Sequence, residues 1–518
     1  MQNHNPNATM KSLPETAFQQ YGGWLIALVV TNGIITIFLK IPLPFYGILF
    51  RCLLLVLGSL CVSKHLLQKH FSNGLLGNFL PSGRLPYPTH SILFLNYLWI
   101  SLIWILSPGL LMILFLVGLV FCRLQHTQDS FLTNLFTYNF LFRAMLAVLI
   151  LNSAILWNIK EVADYYQSPL IPFFGDATYY SLRGFQLAKF HWGTLTNYTR
   201  MIQWHEYGDG LYIHLIGWFY YVFGYCPEAI ALLNCLLGAL FPFILYKITA
   251  ELAPIQTART VALLTSIWTS LLVISIVTLK DLWVISSFTL TFLFWLYFMR
   301  SFNPLYVIFI LFALLLTTAF RHDFSIAFLI GLVLVSSWVA LPIKSYKKYG
   351  LLGFALVLLV ISDPFQHKLK LLYVKHMLYV NSGGESYKIL PNQYYDYLRK
   401  LPEHTLSFQE HIQIISKGVY HLLVEPKPWG TWTLKTWLFL PQTLLWFLLL
   451  SLSIYGLYDF LCHRYGPSLF VYFLPLCLGL AISSGNIGTM IRHRDILTPL
   501  FLIMGAFGWT KLYNKVLR

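Results

Sequence analysis

The stretch LYIHLIGWFYYVF, residues 211–223, decides the topology of this chain. It is apolar, but its 13 residues are too few for a comfortable bilayer crossing, because a spanning helix needs about 20 mostly apolar residues. If the stretch crosses the membrane, every loop that follows it changes side. If it lies in the interface, the later loops keep their sides and the stretch is a juxtamembrane helix.

Long apolar runs recur on both sides of this stretch, from Gly23 to Trp509. Of the 518 residues, 57% are hydrophobic and only 10% are charged, whereas soluble domains carry roughly a quarter charged residues. The composition therefore predicts an all-α polytopic membrane protein with about 13–14 transmembrane helices. The predicted spans are 24–40, 45–63, 91–107, 109–123, 138–157, 228–248, 259–278, 282–299, 303–320, 324–342, 349–363, 436–458, 467–484 and 494–512.

The distribution of basic residues chooses between the two topologies. Cytoplasmic loops carry an excess of lysine and arginine, and this bias is satisfied only if residues 211–223 do not cross. We therefore expect a multi-pass protein of the plasma (inner) membrane with both termini in the cytoplasm. The basic residues that this choice places inside are Lys64, Lys69, Lys247, Arg300, Lys344, Lys347, Lys348, Arg464, Lys511, Lys515 and Arg518. Residues 1–20 lack the apolar core of a cleavable signal peptide, so the first span is expected to act as an anchor.

The same topology gathers charged residues on the extracytoplasmic side. Charges in short outer turns run against the positive-inside bias, and charges at membrane depth are unfavourable. Arginine and lysine beside a carboxylate suit a lipid phosphate or pyrophosphate; the simpler alternative is a set of helix-end ion pairs solvated by water and headgroups. The outer segments are the loop with Gly175-Asp176-Ala177, the turns at Lys280-Asp281 and Arg321-His322-Asp323, the loop 364–435, and the turn 485–495.

Several other classes of function are not indicated. The net charge of +16 is spread between apolar runs and forms no patch, so nucleic acid is not expected as a partner. The seven cysteines are scattered without metal-ligand spacing. No phosphate-binding glycine loop, metalloprotease helix, nucleophile elbow or heme-attachment motif occurs. No cofactor is expected, and metal dependence stays open. Arg143, within a predicted span, is assigned no function.

At the charged outer segments the chain resembles the GT-C superfamily of integral membrane glycosyltransferases, in particular its bacterial exopolysaccharide-type members and the protein O-mannosyltransferases. The order of several motifs carries the resemblance, which covers about 138–512. These motifs are GDATYYSLRGFQLA (175–188), DGLYIHLIGWFYYVFGYCPEAIALLNCLLGALFPFILY (209–246), the Lys280-Asp281 pair, Arg321, EPKPW (425–429) and GNIGTMIRHRDILTP (485–499).

The resemblance implies a GT-C-like fold with amphipathic juxtamembrane helices in the first large extracytoplasmic loop. It also implies inverting transfer of a sugar from a polyprenyl-phosphate carrier to a glycan, lipid or protein acceptor. Asp176 would be the general base. Contacts to the carrier phosphate and the substrate would come from Lys280, Arg321, Arg492, Arg494, Tyr179 and Asp209. The implied organisation is N-terminal helices (1–124), a catalytic core (125–363) containing the outer loop 158–210, a second large outer loop (364–435) and C-terminal helices (436–518).

Two departures from the family pattern concern the acceptor. Ala177 follows Asp176 where a second acid is common, and Gly208-Asp209-Gly210 replaces the usual proline-containing start of the juxtamembrane helix. The alternatives are a polymerase or ligase of lipid-linked glycans, a flippase or transporter of lipid-linked sugars, and an assembly subunit without chemistry. Charged groups near the mid-plane of several spans, and internal repeats, would favour a transporter.

The expected topology can be tested with reporter fusions. Reporters fused after Lys348 and at Arg518 should report the cytoplasm, and reporters inserted within 385–420 should report the outside, because the positive-inside bias sets these sides. A cytoplasmic report from 385–420 would contradict both the topology and the extracytoplasmic site.

Overall fold

A computed structural model of the chain describes residues 107–126, 129–158, 175–189, 211–340, 408–427, 440–483 and 487–516. Within these ranges the chain forms helices joined by short connections, and they contain no β-strand. The helices are α1 (Pro108–His126), α2 (Ser130–Asn158), α3 (Gly175–Lys189), α4 (Leu211–Phe223), α5 (Pro227–Leu252), α6 (Ile255–Ile267), α7 (Thr269–Ile276), α8 (Asp281–Ser301), α9 (Leu305–Phe320), α10 (His322–Ala340), α11 (Phe408–Val424), α12 (Leu440–Cys462), α13 (Gly466–Ser483) and α14 (Ile487–Val516).

Five described helices, α2, α5, α8, α12 and α14, contain segments long and apolar enough to cross a membrane, and α6 with α7 makes a sixth if the bent pair is one span. The chain is therefore an all-α polytopic membrane protein, as its composition predicts. α1, α4, α9, α10, α11 and α13 contribute shorter apolar segments. The predicted spans 24–40, 45–63 and 349–363, and nearly all of 91–107, lie outside the described residues.

Helix α5 occupies the middle of the described bundle, because it packs against α1, α2, α6, α7, α8 and α14. Pro227 occupies its first turn, where a missing backbone N–H does no harm. Gly238 allows a close approach at its centre: an added Cβ would lie 2.6 Å from Ser275 Cβ and 2.8 Å from Arg143 Nε. A larger residue at this position would push α7 and Arg143 away from α5.

Residues 211–223 form helix α4, with the bounds that the sequence predicts. Its buried face packs against α3, and a glycine from each helix lies at the crossing. A Cβ at Gly184 would come within 2.9 Å of Ile216 Cβ, and one at Gly217 within 2.9 Å of Leu187 Cβ. The tight crossing fixes α3, and with it Asp176 in the first turn of α3.

The predicted single span 259–278 is broken. α6 and α7 meet at Trp268 with a bend of 55°, which leaves the last carbonyls of α6 without helical partners. The Arg143 guanidinium, 1% exposed, donates from Nη1 to the Ser266 carbonyl at 3.1 Å. On the other side of the break, the Ser270 hydroxyl donates to the Asp495 carboxylate. The Arg143 guanidinium thus lies at the carboxyl end of α6, where a cation complements the helix dipole, and the Asp495 carboxyl group lies at the amino end of α7.

The expected outer turn 485–495 is also different in the structure. Helix α14 begins at Ile487, so Arg492, Arg494 and Asp495 lie inside a helix rather than in a turn. Successive side chains on a helix point about 100° apart because there are 3.6 residues per turn. Neighbouring charged residues in this segment therefore face different helices. A turn at 485–495, as expected from the sequence, does not predict this arrangement.

The role of Arg143 at the helix break can be tested by replacing it with methionine. Arg143→Met should lower the unfolding free energy by about 1–3 kcal/mol, because it leaves a buried carbonyl without its donor. The measurement is thermal or denaturant unfolding of the purified protein in detergent. The matched control is Arg300→Met, since Arg300 pairs with Glu251 at the surface, 70% exposed. Equal stability of both variants would show that Arg143 does not hold the break.

Candidate active site

An ion pair joins α3 to α14 at the edge of the bundle. Arg492 Nη1 donates to Asp176 Oδ2. Asp176 lies in the first turn of α3, where a carboxylate is favoured by the positive end of the helix dipole. The side chains of Asp176 and Arg492 are 24% and 35% exposed. Both members of the pair are therefore accessible to a ligand.

A second ion pair lies deeper. Arg321 Nη1 approaches Asp281 Oδ1 at 3.4 Å, with side-chain exposures of 21% and 7%. Arg321 follows the end of α9, and Asp281 begins α8. Arg321 Nη2 also lies 2.6 Å from Nε2 of His493, a buried residue of α14. Since a guanidinium can only donate, Nε2 of His493 accepts this hydrogen bond.

The two pairs belong to one cluster, with Tyr180 between them. Burial raises the pKa of Tyr180 well above its usual value, the carboxylates of Asp281 and Asp176 raise it further, and the two arginines lower it. Lys280 Nζ lies 5.7 Å from the centroid of the Tyr180 ring. Among the described side chains named here, the three cations Lys280, Arg321 and Arg492 outnumber the two carboxylates by one, which suits an anionic ligand.

The fully buried amide of Asn234, on α5, fixes the segment that carries Lys280 and Asp281. Its Nδ2 lies 2.6 Å from the Val277 carbonyl and 3.1 Å from the Leu279 carbonyl. Its Oδ1 accepts a hydrogen bond from Trp283 Nε1 at 2.8 Å. One side chain thus satisfies backbone groups just before Lys280 and an indole just after Asp281.

Asn234 also acts on Arg321 through aromatic packing. Its Nδ2 lies 3.3 Å from the Tyr212 hydroxyl. The rings of Tyr212 and Trp283 pack against Phe320, with centroids 6.1 and 5.5 Å away. Phe320 is fully buried and directly precedes Arg321, whose backbone N–H donates to the Thr317 carbonyl at 2.7 Å. The positions of Lys280, Asp281 and Arg321 therefore depend on a common support.

Arg494 faces another part of the bundle. Its Nη1 donates to the Glu425 carbonyl at 2.7 Å, and its guanidinium stacks 4.4 Å from the Trp446 ring centroid. Arg494 is buried, and Trp446 Nε1 donates to the Leu423 carbonyl at 2.7 Å. These contacts fasten the end of α11 to α12 and α14.

The Glu425 side chain forms a small polar cluster with His421 and Lys427. Its carboxylate lies 3.0 Å from His421 Nδ1 and 3.5 Å from Lys427 Nζ. Burial favours the protonated form, but the hydrogen bond with His421 and the charge of Lys427 outweigh it and lower the pKa of the Glu425 carboxyl. Glu425 is therefore held as a carboxylate beside the segment that Arg494 anchors.

The structure brings together Asp176, Lys280, Arg321 and Arg492, four of the residues singled out in the sequence. Tyr179 lies beside them on α3, with the Arg183 guanidinium 5.4 Å from its ring centroid, while the expected substrate residue Asp209 lies outside the described residues.

Sequence reasoning did not single out His493 or Asn234. His493 lies between two arginines, and Asn234 is an amide within a predicted apolar span, a position that usually has a structural or functional reason.

Among the residues that the structure describes, no three histidine, cysteine, aspartate or glutamate side chains come together to form a metal-binding group. No protein-family model, curated protein or solved structure matches the chain.

The role of Asn234 can be tested with Asn234→Leu, which keeps the branched shape and the number of side-chain heavy atoms. The change removes the partner of Trp283 Nε1 and of two backbone carbonyls, so the unfolding free energy should fall by about 1–3 kcal/mol or more. Thermal unfolding in detergent measures it, with the exposed Asn514→Leu as control. Equal unfolding temperatures for the two variants would contradict the supporting role.

Proposed function

We propose that the protein transfers a sugar from a polyprenyl-phosphate carrier to an acceptor hydroxyl at the extracytoplasmic face of its membrane. The observation that carries the proposal is the accessible Asp176–Arg492 pair, beside the Arg321–Asp281 pair and Lys280. Such a cluster offers a carboxylate to a hydroxyl and cations to a phosphate. The resemblance to GT-C glycosyltransferases, which stands on the same residues, supports this assignment.

The cationic groups would bind the carrier phosphate and stabilise it as it leaves. Arg492 and Arg321 present planar guanidinium groups, which bind phosphate oxygens in bidentate fashion, and Lys280 adds a point charge. A polyprenyl phosphate is already a good leaving group, so the protein has mainly to position the reactants and stabilise developing charge. The excess positive charge of the cluster serves that purpose.

Asp176 would then act as the general base. Carrier phosphate competes with Asp176 for Arg492. The phosphodiester of the carrier sugar carries one negative charge, as a carboxylate does, and it gains further negative charge as its bond to the sugar breaks, so Arg492 stabilises it most strongly during transfer. Once Arg492 has turned to the phosphate, Asp176 can accept the proton of the acceptor hydroxyl. The hydroxyl oxygen forms a bond to the anomeric carbon from the face opposite the phosphate. The carbon–oxygen bond to the phosphate breaks, its electron pair leaves with the phosphate, and the configuration is inverted.

The contacts of Arg494 support a different role from the one that the resemblance implies. Since its guanidinium is engaged by Trp446 and by the Glu425 carbonyl, we assign it to holding the segment after α11 in place. It would therefore affect carrier use through position rather than by touching the phosphate.

A flippase or transporter of lipid-linked sugars is the second candidate, and one observation favours it. The break between α6 and α7, with Arg143 and Asp495 on either side of it, is the kind of discontinuous helix with intramembrane charges on which transporters rely. A transporter would move the carrier sugar unchanged, whereas a transferase would consume it.

The deciding experiment uses purified protein in proteoliposomes with a panel of undecaprenyl-phosphate hexoses and a panel of glycan, lipid and protein acceptors. We expect sugar to move from the carrier to an acceptor and undecaprenyl phosphate to accumulate. Asp176→Asn should lower turnover about 10²–10⁴-fold, as removal of a general base does. Arg492→Gln should weaken carrier use roughly ten- to a hundredfold, the magnitude of one charge-assisted hydrogen bond.

The matched controls are Asp459→Asn, from a surface pair with Lys511, and Arg300→Gln. Both should keep wild-type turnover. Full activity of Asp176→Asn would show that Asp176 is not the general base. Intact carrier sugar moved across the membrane by the wild type, without product, would favour the transporter instead.

A further inference from the structure

We propose that His493 is a positioning residue that holds the Arg321 guanidinium in the orientation needed to bind the carrier phosphate. This inference rests on the proposed function, and it adds a residue that neither the sequence motifs nor the resemblance assigns to the site. It is carried by the contact of 2.6 Å between Arg321 Nη2 and His493 Nε2.

Among the described contacts of Arg321, those with Asp281 and His493 differ in length. The Asp281 carboxylate lies 3.4 Å from Nη1, longer than the roughly 2.7–2.9 Å typical of a charge-assisted hydrogen bond. The contact with His493 is much shorter and involves the other terminal nitrogen. His493 therefore fixes the direction of the guanidinium plane, while Asp281 supplies charge.

The geometry also defines the form of His493. A guanidinium has no acceptor, so Nε2 carries a lone pair and the ring proton lies on Nδ1 of a neutral imidazole. A neutral acceptor holds Arg321 without neutralising it. Arg321 thus keeps the positive charge that a phosphate needs, which a second carboxylate at this position would cancel.

Comparison of glutamine and asparagine at position 493 tests the inference. The glutamine side chain reaches the position of Nε2 with an oxygen that accepts from Arg321, whereas asparagine reaches only the position of Nδ1. Both are polar amides that can accept a hydrogen bond, so a merely structural need for a polar side chain would not separate them. His493→Gln should keep the wild-type KM for undecaprenyl-phosphate hexose. His493→Asn should raise it about ten- to a hundredfold, with little change in the KM for the acceptor.

A double-mutant cycle with Arg321→Gln shows whether His493 acts through Arg321. In that background His493→Asn should have almost no further effect, because coupled residues are not additive. Equal KM values in the two single variants at position 493, or full additivity with Arg321→Gln, would overturn the inference. Gln and Asn variants of His463, a residue of the α12–α13 connection, are the control and should both keep the wild-type KM.

A second measurement does not need the reaction. The arginine reagent phenylglyoxal, followed by peptide mass spectrometry, reports how freely Arg321 moves. Arg321 should react faster in His493→Asn than in the wild type or His493→Gln. If the wild type consumes no carrier sugar, the proposed function fails. Faster modification of Arg321 in His493→Asn would still support the positioning of Arg321 by His493. Equal rates in all three proteins refute the positioning, whatever the reaction is.

Discussion

The segment Arg492-His493-Arg494-Asp495 of helix α14 joins the described parts of the molecule, because four ionisable side chains in succession must each find a partner in an apolar bundle. At about 100° per residue they point in four directions, and no single neighbour can satisfy them all. A buried charge without a partner is strongly destabilising, so the other elements must supply the partners. The partners are Asp176 of α3 for Arg492, Arg321 after α9 for His493, the carbonyl of Glu425 after α11 for Arg494, and Ser270 of α7 for Asp495.

This arrangement explains why the candidate site and the break in the membrane helix belong to the same part of the fold. α7 begins beside Asp495 and runs to the segment fixed by Asn234, which ends at Lys280 and Asp281. A shift of α7 would therefore move both the support of Asp495 and two charged residues of the site. Arg143 opposes such a shift from the other side of the break. The buried residues Arg143 and Asp495, which the sequence analysis did not assign to the site, thus stabilise the positions of the charged residues that form it.

The sequence predicts part of this well. Composition alone predicts the helical membrane protein, and the length of residues 211–223 predicts α4. The basic residues expected in outer turns indicated Lys280, Arg321 and Arg492, because such a placement is unfavourable unless something uses it. Asp176 was indicated by the family resemblance. The rest depends on contacts that hydropathy does not encode. Gly485 and Asn486 are typical turn residues, so the sequence predicts a turn here. That Arg492 and Arg494 point in different directions follows only from the start of α14 at Ile487.

Burial within the cluster distinguishes a pair suited to a structural role from one that can open. The Asp281 side chain is only 7% exposed and that of Arg321 is 21% exposed, so removing Arg321 would leave a carboxylate in a low-dielectric setting. This pair is therefore suited to stay closed. The Asp176–Arg492 pair is a quarter to a third exposed, where water offsets part of the loss when the pair opens. In the proposed reaction, an arriving phosphate would meet the more exposed Arg492 first. The deeper pair would then provide a fixed positive edge at Arg321, and the shallower pair would open to release Asp176. On this proposal, carrier binding is the step that prepares the base.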